Sequence, residues 1–168
     1  NGKVFIFDDE HYYMGGVLAE KLKLEGHEVQ IVTPASDIST WTHNTMEQFR
    51  IQKRLLELGV KITPQHNLVS VHPGAVKLEC NFTDKSTIHE CQTLLLVTER
   101  FPNDDLHKSL LDNPEGIDQA GIKTIQCIGD CLAPGIIAAA VHSGHLAARE
   151  FEANVPEDIP FLRERILL

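Results

Sequence analysis

Ile125-Gln-Cys-Ile-Gly-Asp-Cys-Leu-Ala-Pro-Gly-Ile-Ile-Ala-Ala-Ala-Val-His-Ser-Gly-His-Leu-Ala-Ala-Arg-Glu150 is the stretch on which the reading of the chain turns. A short β-run, Ile125–Ile128, stops at Gly129-Asp130; a loop with Pro134-Gly135 then leads into a helix starting at Gly135–Ile136. Ile137, Val141, Gly144 and Ala148 recur at helical spacing and are expected to pack inward, whereas His142, His145 and Arg149 fall on a wetter stripe. A strand end, an acidic residue and a helix N-terminus together make a ligand geometry. The helix end offers free N–H groups and positive potential to an anion, and Asp130 offers an acceptor to sugar hydroxyls. The same residues also suit an ordinary βα turn in which Asp130 caps the helix.

Outward from there, the chain begins with a β-branched and aromatic run, Lys3–Phe7, read as a buried strand. Met14–Glu25 reads as a helix with Val17, Leu18 and Leu22 inward, stopped by Gly26. His27–Thr33 is a second strand. In such a βαβ opening a dinucleotide domain carries G-x-G-x-x-G and an acidic residue after the second strand. Here the turn is Asp8-Asp9-Glu10-His11-Tyr12-Tyr13-Met14-Gly15-Gly16, and the second strand ends in Val32-Thr33-Pro34. Three carboxylates lie where a pyrophosphate would need bare N–H groups, and like charges a few ångströms apart cost about 1–4 kcal/mol at surface-like dielectric. The fold is Rossmann-like, and the usual cofactor is disfavoured.

Asn44-Thr-Met-Glu47 reads as a capping box for a helix running to Leu58, with Met46, Phe49 and Leu56 inward and Arg50, Lys53 and Arg54 solvated. Val60–Thr63 is a third strand. After Pro64 the period changes to short strands at Leu68–Val71, Ala75–Phe82 and Thr87–Cys91, a small antiparallel meander, and Thr93–Thr98 closes the unit. The expected architecture is α/β: a three-layer Rossmann-like fold of parallel sheet, helices and meander, followed by part of a second domain.

Composition narrows the function classes. A hydrophobic content of 42% is that of a globular core. A net charge of −9 argues against nonspecific binding to nucleic acid or an anionic membrane. No apolar run approaches a bilayer span, no signal peptide is visible, and a cytoplasmic protein is expected. Cys80, Cys91, Cys127 and Cys131 lack C-x-x-C spacing, so neither a zinc nor an iron–sulfur site is readable, and reduced, small, buried thiols are expected. His142-x-x-His145 has the spacing of a metal pair but no third ligand. Tyr12 and Tyr13 could stack on an adenine or shuttle an electron, or simply cover the end of a sheet. The chain opens at Asn1-Gly2 directly before a strand, as an excised segment would.

Two motifs in order carry a resemblance. Ile125–Glu150 resembles the last FAD-contacting segment of flavoproteins built from two dinucleotide-binding domains. Leu94-Leu-Leu-Val-Thr-Glu-Arg-Phe-Pro-Asn103 is similar to their Thr-Gly-Arg-x-Pro-Asn crossover, with Glu99 in place of the glycine. Val4–Glu20 narrows it to the trimethylamine and histamine dehydrogenase family, supported by Gly26–Thr33, Trp41–Glu47, Arg54–Val60 and Ile159–Glu164.

That resemblance implies a C-terminal fragment of an FMN- and iron–sulfur-dependent amine dehydrogenase. Residues 1–102 would be a NAD(P)-binding-like domain with a degenerate glycine motif, and 103–168 the returning half of an FAD/ADP-binding-like domain. Gly129, Asp130, Gly135, Ile136 and Ile137 would contribute to an ADP or FAD site shared with the half-domain that precedes. No catalytic residue and no metal ligand is expected in the chain, and no cofactor in the chain alone. The parent would carry FMN, a 4Fe–4S cluster and ADP or FAD. Its partners would be an N-terminal barrel, the first half of the FAD-like domain and an electron-transfer flavoprotein as acceptor. An enoate-reductase-like parent that takes NAD(P)H at this domain, or a free-standing nucleotide-binding module without a redox role, are the alternatives.

Overall fold

In the computed structural model, residues 2–151 are described. Two compact units divide the chain, Asn1–Glu99 and Arg100–Leu168. The first contains, in order, β1 (Lys3–Asp8), α1 (Met14–Leu24), β2 (Glu28–Val32), α2 (Gln48–Glu57), β3 (Lys61–Thr63), β4 (His66–His72), β5 (Ala75–Cys80), β6 (Ser86–Glu90) and β7 (Thr93–Val97). A four-stranded parallel sheet runs β3-β2-β1-β7, and β4-β5-β6 form a separate antiparallel sheet.

The apolar run in β1 is continuous because both faces of that strand are covered. Val4 and Ile6 point to one side, where they pack with Val29, Ile31, Ala19 of α1 and Leu55 of α2. Phe5 points to the other, where it meets Val32, Val76, Leu78 and Cys91 beneath the meander. The unit is therefore a helix–sheet–sheet sandwich, as the strand pattern implies. The first helix ends as read on Gly26 (φ +90°), and the second ends on Gly59 (φ +75°); at both, only glycine adopts the left-handed turn at little cost.

Three expectations for this unit fail. Val17 is exposed, and the small residues Gly15, Gly16 and Ala19 of α1 are the buried ones. Asn44–Glu47 forms no capping box, because a 3-10 turn, Thr40–His43, takes up the preceding residues and α2 starts only at Gln48 with Glu47 at its N-cap. That shift turns the helix by the width of one stripe. Met46, Phe49 and Leu56 are 87%, 75% and 56% exposed, whereas Gln48 and Leu55 are buried and Ile51 packs with them. Gln48 tolerates burial because its amide Nε2 donates to the carbonyl of Ile38 and to Gln52 Oε1.

The second unit contains α3 (Asp105–Leu111), α4 (Pro114–Gln119) and α5 (Ile137–Glu150) among its described residues. Asn113 caps α4 by accepting from the N–H of Gly116, with Pro114 in the first turn. Residues 125–128 form no strand. They pair with no strand among the described residues, and a strand exists only in a ladder. The stripe Ile137, Val141, Gly144 and Ala148 is not packed inward either: Ile137 is 84% exposed, and no described residue of this unit is buried.

Candidate functional site

In an open parallel sheet, ligands bind outside the carboxyl ends of the strands where the strand order reverses. Here that point lies between β1 and β7, and the turn after β1 stands at it. Asp8 ends β1 wholly buried, with its Oδ1 accepting the backbone N–H groups of Glu10 (3.3 Å) and His11 (3.2 Å). Its Oδ2 is buried and makes no hydrogen bond. Burial pushes the Asp8 carboxyl above its ordinary range; the His11 N–H and the nearby imidazole oppose this, and Asp9 adds to it. A Cβ on Gly15 would lie 2.5 Å from Asp8 Oδ2, so the carboxyl is wedged against the first turn of α1.

His11 follows in the left-handed region (φ +64°). Its Nε2 lies 3.2 Å from Asp9 Oδ1 and its Nδ1 3.4 Å from Thr33 Oγ1 at the end of β2. Beyond it, His11, Ala35, Thr40, Trp41 and Asn44 line a small cleft of about 280 Å³. Tyr12 and Tyr13 meet edge to face with ring centroids 4.2 Å apart, and the Tyr13 hydroxyl donates to Glu47 Oε2. That bond raises Tyr13 to about 12. The loop after β1 is thus filled and cross-linked by its own side chains where a dinucleotide fold leaves bare N–H groups.

The residues singled out in the second unit do come together. Gly129 (φ +62°) opens a 3-10 turn, Gly129–Cys131, and its N–H donates to Ser143 Oγ of α5 at 2.8 Å. Asp130 Oδ1 accepts the N–H of Gly135 at 3.3 Å. Ile136 is the N-cap residue of α5, without a side-chain cap, and Ile137 is its first residue. Asp130 therefore pins the loop ahead of the helix and does not cap it. The first N–H groups of a helix have no partner within it, so this end suits an anion or a polar edge, with the exposed Asp130 carboxylate beside the same loop. Gly129 permits the turn, since its left-handed φ would strain any side chain there. Ser143 was not legible in advance, because one serine in a small-residue helix carries no signal of its own.

Other sequence candidates fare differently. No group of three or more metal-ligating side chains exists among the described residues, so His142 and His145 stand without a third ligand. Cys127 and Cys131 are half-exposed, not buried, because nothing described in this unit covers them. A wide groove of about 700 Å³ runs along residues 123–128 and the last turns of α5, lined by Ile128, Gly144, Ala147, Ala148 and Phe151 among others; none of the five singled-out residues lines it. No helix among the described residues is long and apolar enough to cross a membrane.

Comparison with known proteins gives a consistent set of relatives. The family described as the OYE-like second alpha/beta domain matches residues 1–98. Dimethylamine dehydrogenase of Hyphomicrobium sp. (strain x) is 30% identical over 97% of this chain and 25% of its own. Histamine dehydrogenase from Rhizobium sp. 4-9 superposes with a TM-score of 0.95 at 38% identity, over 100% of this chain and 26% of that one. The 6-hydroxypseudooxynicotine amine oxidase of Pseudomonas geniculata N1 has a TM-score of 0.85 at 32% identity, over 90% of this chain and 22% of its own. The chain thus spans about a quarter of the length of these relatives.

Proposed function

Because the chain belongs to the OYE-like second alpha/beta domain family, within the C-terminal part of the trimethylamine and histamine dehydrogenase group, we propose that it is the nucleotide-binding-like portion of a flavin- and iron–sulfur-dependent amine dehydrogenase. Residues 1–102 then act as a NAD(P)-like domain that no longer takes the dinucleotide, and 103–168 as the returning half of an ADP- or FAD-holding domain. FMN and a 4Fe–4S cluster on an N-terminal barrel would supply the redox chemistry, with an electron-transfer flavoprotein as acceptor. The part of this chain is to scaffold and to help hold the nucleotide.

The observation that carries the reading is the second unit's surface. Leu106, Ile137, Val141, Leu146 and Phe151 are all exposed, and no described residue of this unit is buried. Apolar area of this kind is stable only when covered. The groove beside residues 123–128 is wide and lined largely by apolar groups, and the preceding half-domain of a longer chain is the occupant proposed here. Within the loop, Gly129 makes the turn, Asp130 accepts from ribose or ribityl hydroxyls, and the Gly135–Ile137 end of α5 meets the phosphates.

An NAD(P)H-accepting role is the weaker reading, since the buried Asp8 carboxyl holds the Glu10 and His11 N–H groups and crowds Gly15. The test is to purify the whole protein that carries this chain, unfold it and identify what is released. Stoichiometric ADP or FAD together with FMN and iron, and amine-dependent reduction with no response to NAD(P)H, are expected. A protein free of adenine nucleotide, or one reduced by NAD(P)H at the rate of its amine, overturns the proposal.

A further inference from the structure

We propose that the cleft between the turn after β1 and the loop after β2 binds a small organic ammonium ion. Its walls stand at the carboxyl ends of two paired parallel strands, the edge at which open sheets take their ligands. His11 follows β1, and Ala35, Thr40, Trp41 and Asn44 follow β2. At about 280 Å³ the cleft falls below the range for drug-sized ligands, about 300–1,000 Å³, so its ligand is small. The two loops are fixed before anything binds. The Trp41 N–H donates to the carbonyl of His11 at 3.0 Å. Thr42, fully buried, donates through its N–H (2.8 Å) and its hydroxyl (2.7 Å) to the carbonyl of Ser39.

Charge selects the class of ligand. None of the five lining residues is a lysine or an arginine. Behind each wall a carboxylate stands one hydrogen bond away. Asp9 Oδ1 lies 3.2 Å from His11 Nε2, and Asp37 Oδ1 accepts from the Thr40 hydroxyl at 2.8 Å, with its Oδ2 2.8 Å from His43 Nε2. Two carboxylates behind uncharged walls attract a cation and repel phosphates or carboxylates. The N–H groups of Glu10 and His11 that would hold an anion are already taken by Asp8. The indole of Trp41, 61% exposed, supplies the aromatic surface on which an alkylammonium ion is held. The side-chain oxygen of Asn44 can accept an N–H of a primary or secondary ammonium in the same cleft. Binding here is independent of the nucleotide proposed for the second unit.

The experiment is isothermal titration of the whole protein with tetramethylammonium chloride at low salt, with a crystal soaked in the same compound to locate the ion. The expected result is saturable binding, with the ion against Trp41 in the cleft. Trp41→Ala should weaken that binding by about five- to thirtyfold, the worth of one cation–π contact, and Trp41→Phe by less, since it keeps a ring. Asp37→Asn keeps an oxygen for Thr40 and removes the charge, so it should weaken binding at low salt and much less at about 1 M salt. Tert-butanol, of similar shape without the charge, and adenosine, an uncharged planar ring, should not bind there. Trp41 is exposed, so its variants should fold with a nearly unchanged melting temperature. Heat common to wild type and Trp41→Ala belongs to other sites. An empty cleft in the soaked crystal, an affinity that Trp41→Ala leaves intact, or tert-butanol or adenosine bound as tightly as the cation each overturns the proposal. The adenine nucleotide of the second unit is read separately, by what the unfolded protein releases.

Discussion

The carboxyl of Asp8 and the α-carbon of Gly15 stand so close that a methyl group on Gly15 would lie 2.5 Å from Asp8 Oδ2 and 2.6 Å from its Cγ. Asp8 cannot swing away, since it is wholly buried and its Oδ1 is held by two backbone N–H groups. Gly15→Ala should therefore destabilise the first unit by about 1–3 kcal/mol, the usual cost of overpacking. In a cycle with Asp8→Ala the two substitutions should couple by about 0.5–3 kcal/mol, the second costing less once the first is present. Denaturant unfolding of the four proteins measures it; strict additivity would mean that the two groups do not press on each other.

The same carboxyl predicts a pH dependence. Its folded pKa lies above the unfolded one because burial disfavours the charge. Between those two values the folded state binds more protons than the unfolded state, so this group's contribution to stability falls as pH rises through the window. Asp8→Asn removes the titration. The melting temperature of wild type minus that of the variant should drop as pH rises above the ordinary carboxylate value, about 4. A constant or rising difference would contradict the assignment.

Much of the first unit was legible in the sequence. The run Lys3–Phe7 and the stop at Gly26 report local backbone requirements, and each element lies within a few residues of its reading. Phase on α2 was not legible, because Met46 and Phe49 are as apolar as Ile51 and Leu55. Which stripe turns inward was set by the 3-10 turn at Thr40–His43, and that turn is a tertiary outcome. The strand at Ile125–Ile128 fails for a related reason. Residue pattern can favour an extended backbone but cannot supply the neighbour that makes it a strand. Of the loop, Gly129 and Asp130 were readable from the strand-turn-helix pattern, whereas the clamp by Ser143 was not.

The two stripes of α2 can be told apart in solution. Leu55 is buried among Ile6, Ala19 and Ile31, and Leu55→Ala should cost about 2–5 kcal/mol. Phe49→Ala, on the exposed stripe, should change the stability of the isolated chain by no more than about 0.5 kcal/mol. Equilibrium unfolding of both variants decides it, and a reversed order would restore the stripe read from the sequence.

Tyr13 should titrate late. Its hydroxyl donates to the Glu47 carboxylate, and deprotonation would place two negative charges in contact, so its pKa rises to about 12. The chain has two tyrosines, and in a Tyr12→Phe background the phenolate absorbance reports Tyr13 alone. Glu47→Gln should bring that titration back toward about 10, the unperturbed value. A wild-type phenol that already titrates near that value would show that the bond does not persist in solution.

Asp130 separates a ligand role from a structural one. Its Oδ1 meets the Gly135 N–H at 3.3 Å, a long contact on an exposed loop, and α5 begins at Ile137 without using that carboxylate as a cap. Loss of a helix cap costs about 0.5–2 kcal/mol, and this contact should be worth no more than the low end. Asn at the same place keeps an oxygen for the Gly135 N–H and forfeits the charge. A sugar hydroxyl donating to a carboxylate, by contrast, makes a bond worth about 1.5–3 kcal/mol, which corresponds to roughly a tenfold to hundredfold change in affinity. If the proposed site holds, Asp130→Asn should therefore leave the melting temperature of the chain nearly unchanged while the whole protein loses the adenine nucleotide proposed above on dialysis. A variant that keeps the nucleotide at wild-type stoichiometry and affinity would remove Asp130 from the site. If instead its melting temperature falls by several degrees while nucleotide is retained, the carboxylate serves the loop alone.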